Sequence, residues 1–158
     1  MQPLRFPAFD HKIRTAGAGA QIFDVVRKKY VRLTPEEWVR QHCLHYLMGH
    51  LAYPRALMRL ERAVWRSGLR HRPDLVVCDR LARPLLLVEC KAPGVPLTAK
   101  TQEQLVRYNA HCKARLLLMT NGLQHFCWQL DYAGHCSVGL QAIPHFSSLS
   151  ASLAQQEA

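Results

Sequence analysis

Residues 72–93, RPDLVVCDRLARPLLLVECKAP, constrain the fold more than any other part of the chain. Two short apolar runs, DLVVCD and PLLLVECK, are joined by a polar turn. Runs of this length bounded by turn signals read as adjacent strands of a buried sheet. Period two then places Leu85, Leu87, Glu89 and Lys91 on one face and Leu86, Val88 and Cys90 on the other. Asp74 opens the first strand, and Glu89 and Lys91 leave one face near the end of the second. Charges set into so apolar a strand pair need a chemical reason.

The elements around this pair predict one mixed α/β domain over residues 1–146, with residues 1–33 as an N-terminal extension and residues 147–158 as a flexible tail. In the extension, HKIRT and QIFDVV read as two short strands around AGAGA. LTPEEWVRQHCLHYLMGHL has a strong helix start, with Thr34 as N-cap, Pro35 in the first helical position and Glu37 in the capping-box position. Arg40, Leu44, Leu47, Met48 and Leu51 share one side of that helix, and Tyr53-Pro54 closes it. ALMRLERAVW reads as a strand and SGLRHR as a turn leading into the pair at 74–90. LTAKTQEQLVRYNAHCK is an amphipathic helix, ARLLLMTN a buried strand, and HFCWQLDY a last strand after the Asn121-Gly122 turn. The expected order is helix, three-strand meander, helix, strand, strand, and the Ser/Ala/Gln-rich residues from Ser147 are expected to fray.

The formal charge is +10, and every Lys and Arg lies at or before Arg115. Clusters at Arg27-Lys28-Lys29 and through Arg59, Arg62, Arg66, Arg70 and Arg72 give a field suited to a polyanion, with nucleic acid the commonest candidate. No apolar run approaches the roughly 20 residues of a membrane span. The N-terminus, MQPLRFPAFDHK, lacks the apolar stretch of a signal peptide. The six cysteines contain no CxxC pair, and Cys78, Cys90 and Cys127 fall in strands. Reduced, buried thiols in a cytoplasmic protein are expected.

Hydrolysis of a phosphodiester needs a metal to polarise the phosphate, a nucleophilic water and charge stabilisation for the departing oxygen. Mg²⁺ takes hard oxygen ligands, usually one or two carboxylates, and keeps several waters. Asp74 and Glu89 supply such oxygens from adjacent strands, and the Cys90 carbonyl is placed to add a third. Lys91 on the Glu89 face is suited to orient or deprotonate the water, or to neutralise charge on the phosphate. Glu37 has two readings, as a capping-box residue and as an extra acid directed toward the metal. Glu36 is expected to point aside, and Glu61 is a more distant candidate.

Pro73-Asp74 followed by Glu89-Cys90-Lys91 at the end of the next strand resembles the PD-(D/E)xK nuclease signature. Gln104 and Tyr108, at i and i+4 on the next helix, resemble the Q-x-x-x-Y element of several branches of that superfamily. IFDVVRKKYVRLTPEEWVRQ, VECKAP, QLVRYN and LMTNGLQHF resemble the N-terminal nuclease domain of type I restriction enzyme R subunits, nearest to small stand-alone proteins carrying that domain. The resemblance runs from about residue 20 to 131. It implies a restriction-endonuclease-like α/β core and Mg²⁺- or Mn²⁺-dependent DNA cleavage, with Gln104 and Tyr108 supporting the site. It also implies DNA as partner, with self-association as a dimer or membership of a larger restriction or defence complex. The motor domains of a full R subunit are not in this sequence, so translocation is not implied.

Two other readings stand beside the nuclease. A non-catalytic nucleic-acid-binding module would share the fold, and an interaction subunit docking through its apolar C-terminal strand would need no metal. GVPLTAKT nearly spells a phosphate-binding loop, but Ala99 replaces its glycine and Pro96 removes an amide. The nine histidines show no zinc spacing.

Overall fold

The computed structural model describes residues 2–17, 19–60 and 73–149. The strand expected over ALMRLERAVW is present only as Met58–Arg59; Ala56 and Leu57 belong instead to a 3-10 turn (Arg55–Leu57), and residues 61–65 with Glu61, the turn SGLRHR and the arginines from Arg62 to Arg72 lie outside the described residues.

The N-terminal extension forms its own antiparallel sheet of three strands, β1 (Ile13–Ala16), β2 (Gly19–Asp24) and β3 (Lys29–Arg32). The sequence pattern predicts the first two. The third, KYVR, is too short and too charged to show an apolar pattern. Helix α1 (Pro35–His50) starts as expected, with the Thr34 hydroxyl accepting the Glu37 N–H at 3.0 Å. The helix stops before Tyr53, whose buried ring and hydroxyl bond to the Pro144 carbonyl (2.9 Å) anchor the exit.

The main sheet has the order β4–β5–β6–β7–β8–β9, formed by β4 (Met58–Arg59), β5 (Leu75–Cys78), β6 (Pro84–Cys90), β7 (Leu116–Thr120), β8 (His125–Asp131) and β9 (Cys136–Leu140). All neighbours are antiparallel except β6 and β7. A parallel pair needs a long crossover, which α2 (Ala99–Cys112) provides. β9 is an addition to the expected order; CSVGL has little of the alternation by which a strand announces itself.

The sheet is covered on both faces. Val39, Cys43, Leu44 and Leu47 of α1 pack with Leu75, Val77, Leu86, Val88 and Cys90. Leu105 and Cys112 of α2 pack with Val76, Cys78, Leu87 and Met119. Double burial explains why β6 is apolar almost throughout. Leu85 departs from the expected alternation and joins the α1 side, because the register shifts by one residue after Val77. An extra residue on one strand turns two successive side chains to the same face. At the C-terminal end, residues 146–149 form a helical turn that buries Phe146 and Leu149, where the composition predicts fraying from Ser147. All six cysteines are free thiols, and all but Cys136 are buried. No helix among the described residues is long and apolar enough to cross a membrane.

Candidate functional site

Asp74 precedes β5 by one residue. The pairing Leu75↔Val88, extended by one step, sets it opposite Glu89, and its N–H donates to the Val88 carbonyl at 3.1 Å. Opposed residues of paired strands share a face. Asp74 continues the Val76–Cys78 series and Glu89 follows Leu87, so both emerge at the end of the α2 face. Asp74 Oδ2 also accepts the Cys90 N–H at 2.6 Å, which fixes the carboxylate over the end of β6. Glu89 is buried at 6% exposure, and its Oε1 accepts from Lys91 Nζ at 2.6 Å. Lys91 is in turn fixed by its N–H bond to the Thr120 carbonyl of β7 (2.9 Å). Cys90, between them, is fully buried among the residues under α1.

Burial and mutual charge together set the electrostatics of this cluster. Burial, then the nearby Glu89 and Glu36 charges, push the Asp74 carboxyl up to about 7, against the opposing pull of the Cys90 N–H and Lys91. Burial pulls Lys91 down, but its hydrogen bond and charge contact with Glu89, reinforced by Glu36 and Asp74, outweigh that and hold it above the usual lysine value. Among the described residues, the Lys91 ammonium thus feels the charge of three carboxylates.

The two glutamates of the first helical turn are placed unlike each other. Glu37 does not complete the reciprocal half of the capping box. Its carboxylate turns to Arg40, accepting from Nε at 3.0 Å and pairing with Nη2, while Gln41 Nε2 donates to it at 2.8 Å. Arg40 Nη2 also reaches the fully buried Asp24 of β2 at 2.6 Å, and Arg27 Nη1 stands 3.6 Å from Asp24 and 3.9 Å from Glu37. Glu37 is therefore committed to a cation network joining the N-terminal sheet to α1. Glu36, expected to point aside, is exposed, and its charge bears on Asp74 and Lys91. The signal for it is the doubled acid in PEEW, but neighbours on a helix point about 100° apart, and only the seating of α1 decides which one meets the sheet.

Gln104 and Tyr108 lie on the inward side of α2, flanking the buried Thr101, Leu105 and Asn109. Both are half-buried, and Tyr108 packs against the apolar cluster beneath α2. Gln104 makes no hydrogen bond to Asp74, Glu89 or Lys91.

Asp74 and Glu89 are the hard oxygen donors that Mg²⁺ prefers, and an acid held near 7 by burial and a neighbouring carboxylate is relieved when a cation arrives. The residues present fit a divalent ion that keeps most of its waters. Among the described residues, no group of three or more His, Cys, Asp or Glu side chains is placed to hold a metal, so Asp74 and Glu89 stand as a pair.

No curated protein matches the sequence. Among solved structures, a fragment of a putative HsdR subunit of a type I restriction enzyme from Vibrio vulnificus YJ016 is similar at 23% identity and a TM-score of 0.42. The similarity covers 63% of this chain and 19% of that one. The family described as type I restriction enzyme R protein N terminus matches residues 35–144, from the first residue of α1 past the end of β9. That span takes in Asp74, Glu89 and Lys91 together with both helices, and the chain belongs to this family.

Proposed function

We propose that this protein is a metal-dependent nuclease that hydrolyses phosphodiester bonds in DNA, on a restriction-endonuclease-like core of the PD-(D/E)xK type. The observation that carries the reading is the meeting of Asp74, Glu89 and Lys91 at one end of β5 and β6, with the Asp74 acid raised by burial and by its neighbours. Asp74 and Glu89 would hold Mg²⁺ or Mn²⁺, with the Cys90 carbonyl as a further oxygen. The ion would supply Lewis-acid polarisation of the phosphate and a lowered water pKa.

The chain's own residues divide the remaining work. Because Glu89 holds Lys91 protonated, its ammonium is suited to neutralise charge growing on the phosphate rather than to take a proton from water. Glu36, whose charge bears on Asp74 and Lys91, would act on the site through its charge, the part that Glu37 is too committed to Arg40 to play. Gln104 and Tyr108 line the approach from α2 and position the scissile strand. Membership of the R-subunit family makes a larger restriction complex the natural assembly, and the free thiols fit the cytoplasm, where its DNA substrate lies.

The test is incubation of the protein with supercoiled plasmid and Mg²⁺ or Mn²⁺, beside Lys91→Ala. Nicking or linearisation by the wild type alone supports the reading. Metal-independent DNA binding with no cleavage by either protein would replace it with the non-catalytic binding module.

A further inference from the structure

The N-terminal sheet has two unlike faces. Ile22 and Asp24 of β2 are fully buried against the body of the protein, so Gln21 and Phe23 point outward. The register aligns Arg14, Gln21 and Arg32 in one cross-strand row and Phe23 with Tyr30 in the next. Lys12, whose carbonyl accepts the Phe23 N–H at 2.9 Å, continues the Arg14 face. Arg14 Nε donates to Gln21 Oε1 at 2.9 Å, and its guanidinium lies 3.9 Å from the Tyr30 ring centroid. The Phe23 and Tyr30 rings stand edge to face, 5.4 Å apart. The outward face of these strands thus carries three cations, two aromatic rings and an amide, with no carboxylate. Asp24, the strands' own acid, is turned inward onto Arg40.

We propose that this face is a platform for single-stranded nucleic acid. Cations alone would suit the phosphates of a duplex equally well. Planar groups beside them suit unpaired bases, which stack on aromatic rings and on guanidinium planes without regard to sequence. The Arg14–Tyr30 stack and Phe23 supply the planes, and Lys12 and Arg32 flank them for the phosphates. The turn of the platform is fastened to the first turn of α1 through Asp24, Arg27, Arg40 and Glu37. That same turn of α1 carries Glu36, whose charge reaches Asp74 and Lys91. The platform is thus tied to the helix that leads into the domain carrying the candidate nuclease site. The proposal deepens the nuclease reading by naming what the approach holds, and it is tested without cleavage.

Fluorescence anisotropy of labelled dT20 and of a duplex of equal length, with the full chain in EDTA, gives the readout. The wild type is expected to bind the single strand at least about tenfold more tightly than the duplex, and Arg14→Gln and Tyr30→Leu each to weaken it by about tenfold. Arg14→Gln with Arg32→Gln should also reduce the log–log salt slope by about 1.4, at roughly 0.7 for each phosphate no longer neutralised. Should Tyr30→Leu unfold, as circular dichroism would show, the exposed Arg14 and Arg32 variants decide alone. Equal binding of dT20 by wild type and the arginine variants, or a preference for duplex, overturns the platform. Plasmid nicking by wild type with Mn²⁺ separates the two ideas: nicking without dT20 binding overturns the platform and leaves the nuclease. Binding that the variants lose, with no nicking, supports the platform and overturns the nuclease.

Discussion

Lys91 Nζ lies 2.6 Å from Glu89 Oε1, so this ammonium neutralises a carboxylate that a divalent ion would also claim. A bound divalent ion would compete with the ammonium for Glu89. Lys91→Ala keeps both carboxylates and removes the competitor. It is expected to bind Mn²⁺ as tightly as the wild type or a few-fold more tightly, by calorimetric titration. Plasmid cleavage should fall by roughly 100-fold or more, the usual loss when a charge-stabilising donor is removed. Cleavage at the wild-type rate would remove Lys91 from the mechanism.

The first turn of α1 offers a paired test. Glu37→Gln leaves Arg40, whose side chain is 4% exposed, with one carboxylate fewer, so a loss of roughly 1 to 2 kcal/mol of stability is expected. A capping role for Glu37, one of the two readings its sequence position allows, would imply little cost. Glu36→Gln touches an exposed side chain and should change stability by no more than about 0.5 kcal/mol. Its Mn²⁺ affinity and cleavage should nonetheless drop. Thermal melts paired with metal titrations separate the two residues. Unchanged metal affinity in Glu36→Gln would show that its charge does not act on the ion.

The central strands are legible in the sequence because burial on both faces leaves an unbroken apolar run, and PLLLVECK shows its charges against that background. Helix α1 is legible from Thr34 and Pro35, whose chemistry is local. The partners of Arg40 are not. Helical periodicity puts it on the apolar side of α1, and it is buried there with Asp24, a residue of another sheet that no local pattern connects to it. The surroundings of Glu36 and Glu37 are hidden for the same reason, since they depend on how α1 sits on the sheet. Strands β3 and β9 are edges of their sheets, where exposure erases the alternation that identifies a strand.

Histidines fasten the N-terminal arm. Phe6 lies 4.5 Å from His125, and Phe9 stacks on His45 at 4.1 Å and meets His42 edge-on at 4.8 Å. Burial, the leading influence on each, holds His42, His45 and His125 below the ordinary value of 6.5, with His11 lowering the first two and Arg5 the last. Asp24 opposes this at His45. A folded value below the unfolded one stabilises above the unfolded value and is lost as pH falls through the folded one. The arm should therefore loosen as pH falls below about 6.5, ahead of the main sheet. Amide exchange over residues 4–11 measures this directly, and equal protection at pH 7.5 and 5 would show that the histidines do not hold the arm.

Asp74 gives the opposite pH signature. Its folded value, about 7, lies above the ordinary 3.8, so its protonated form favours the folded state. That contribution is complete below about 4 and disappears as pH rises toward 7, leaving the metal-free protein at pH 8 with a half-buried carboxylate beside Glu89. Asp74→Asn should therefore melt above the wild type at pH 8 in EDTA, by roughly 1 to 3 kcal/mol, with the gap closing by pH 4. A divalent ion relieves the same repulsion in the wild type, and at a hundred times its dissociation constant adds about 2.7 kcal/mol. Below pH 7 the ion must displace a proton from Asp74, so its apparent affinity should fall about tenfold per pH unit there and level off above. Asp74→Asn loses that response altogether. If it melts like the wild type at pH 8, with metal and without, then Asp74 and Glu89 do not share an ion. The charges at the end of β6 would then be a partly buried ion pair beside a strained acid, and the nuclease reading would lose its centre.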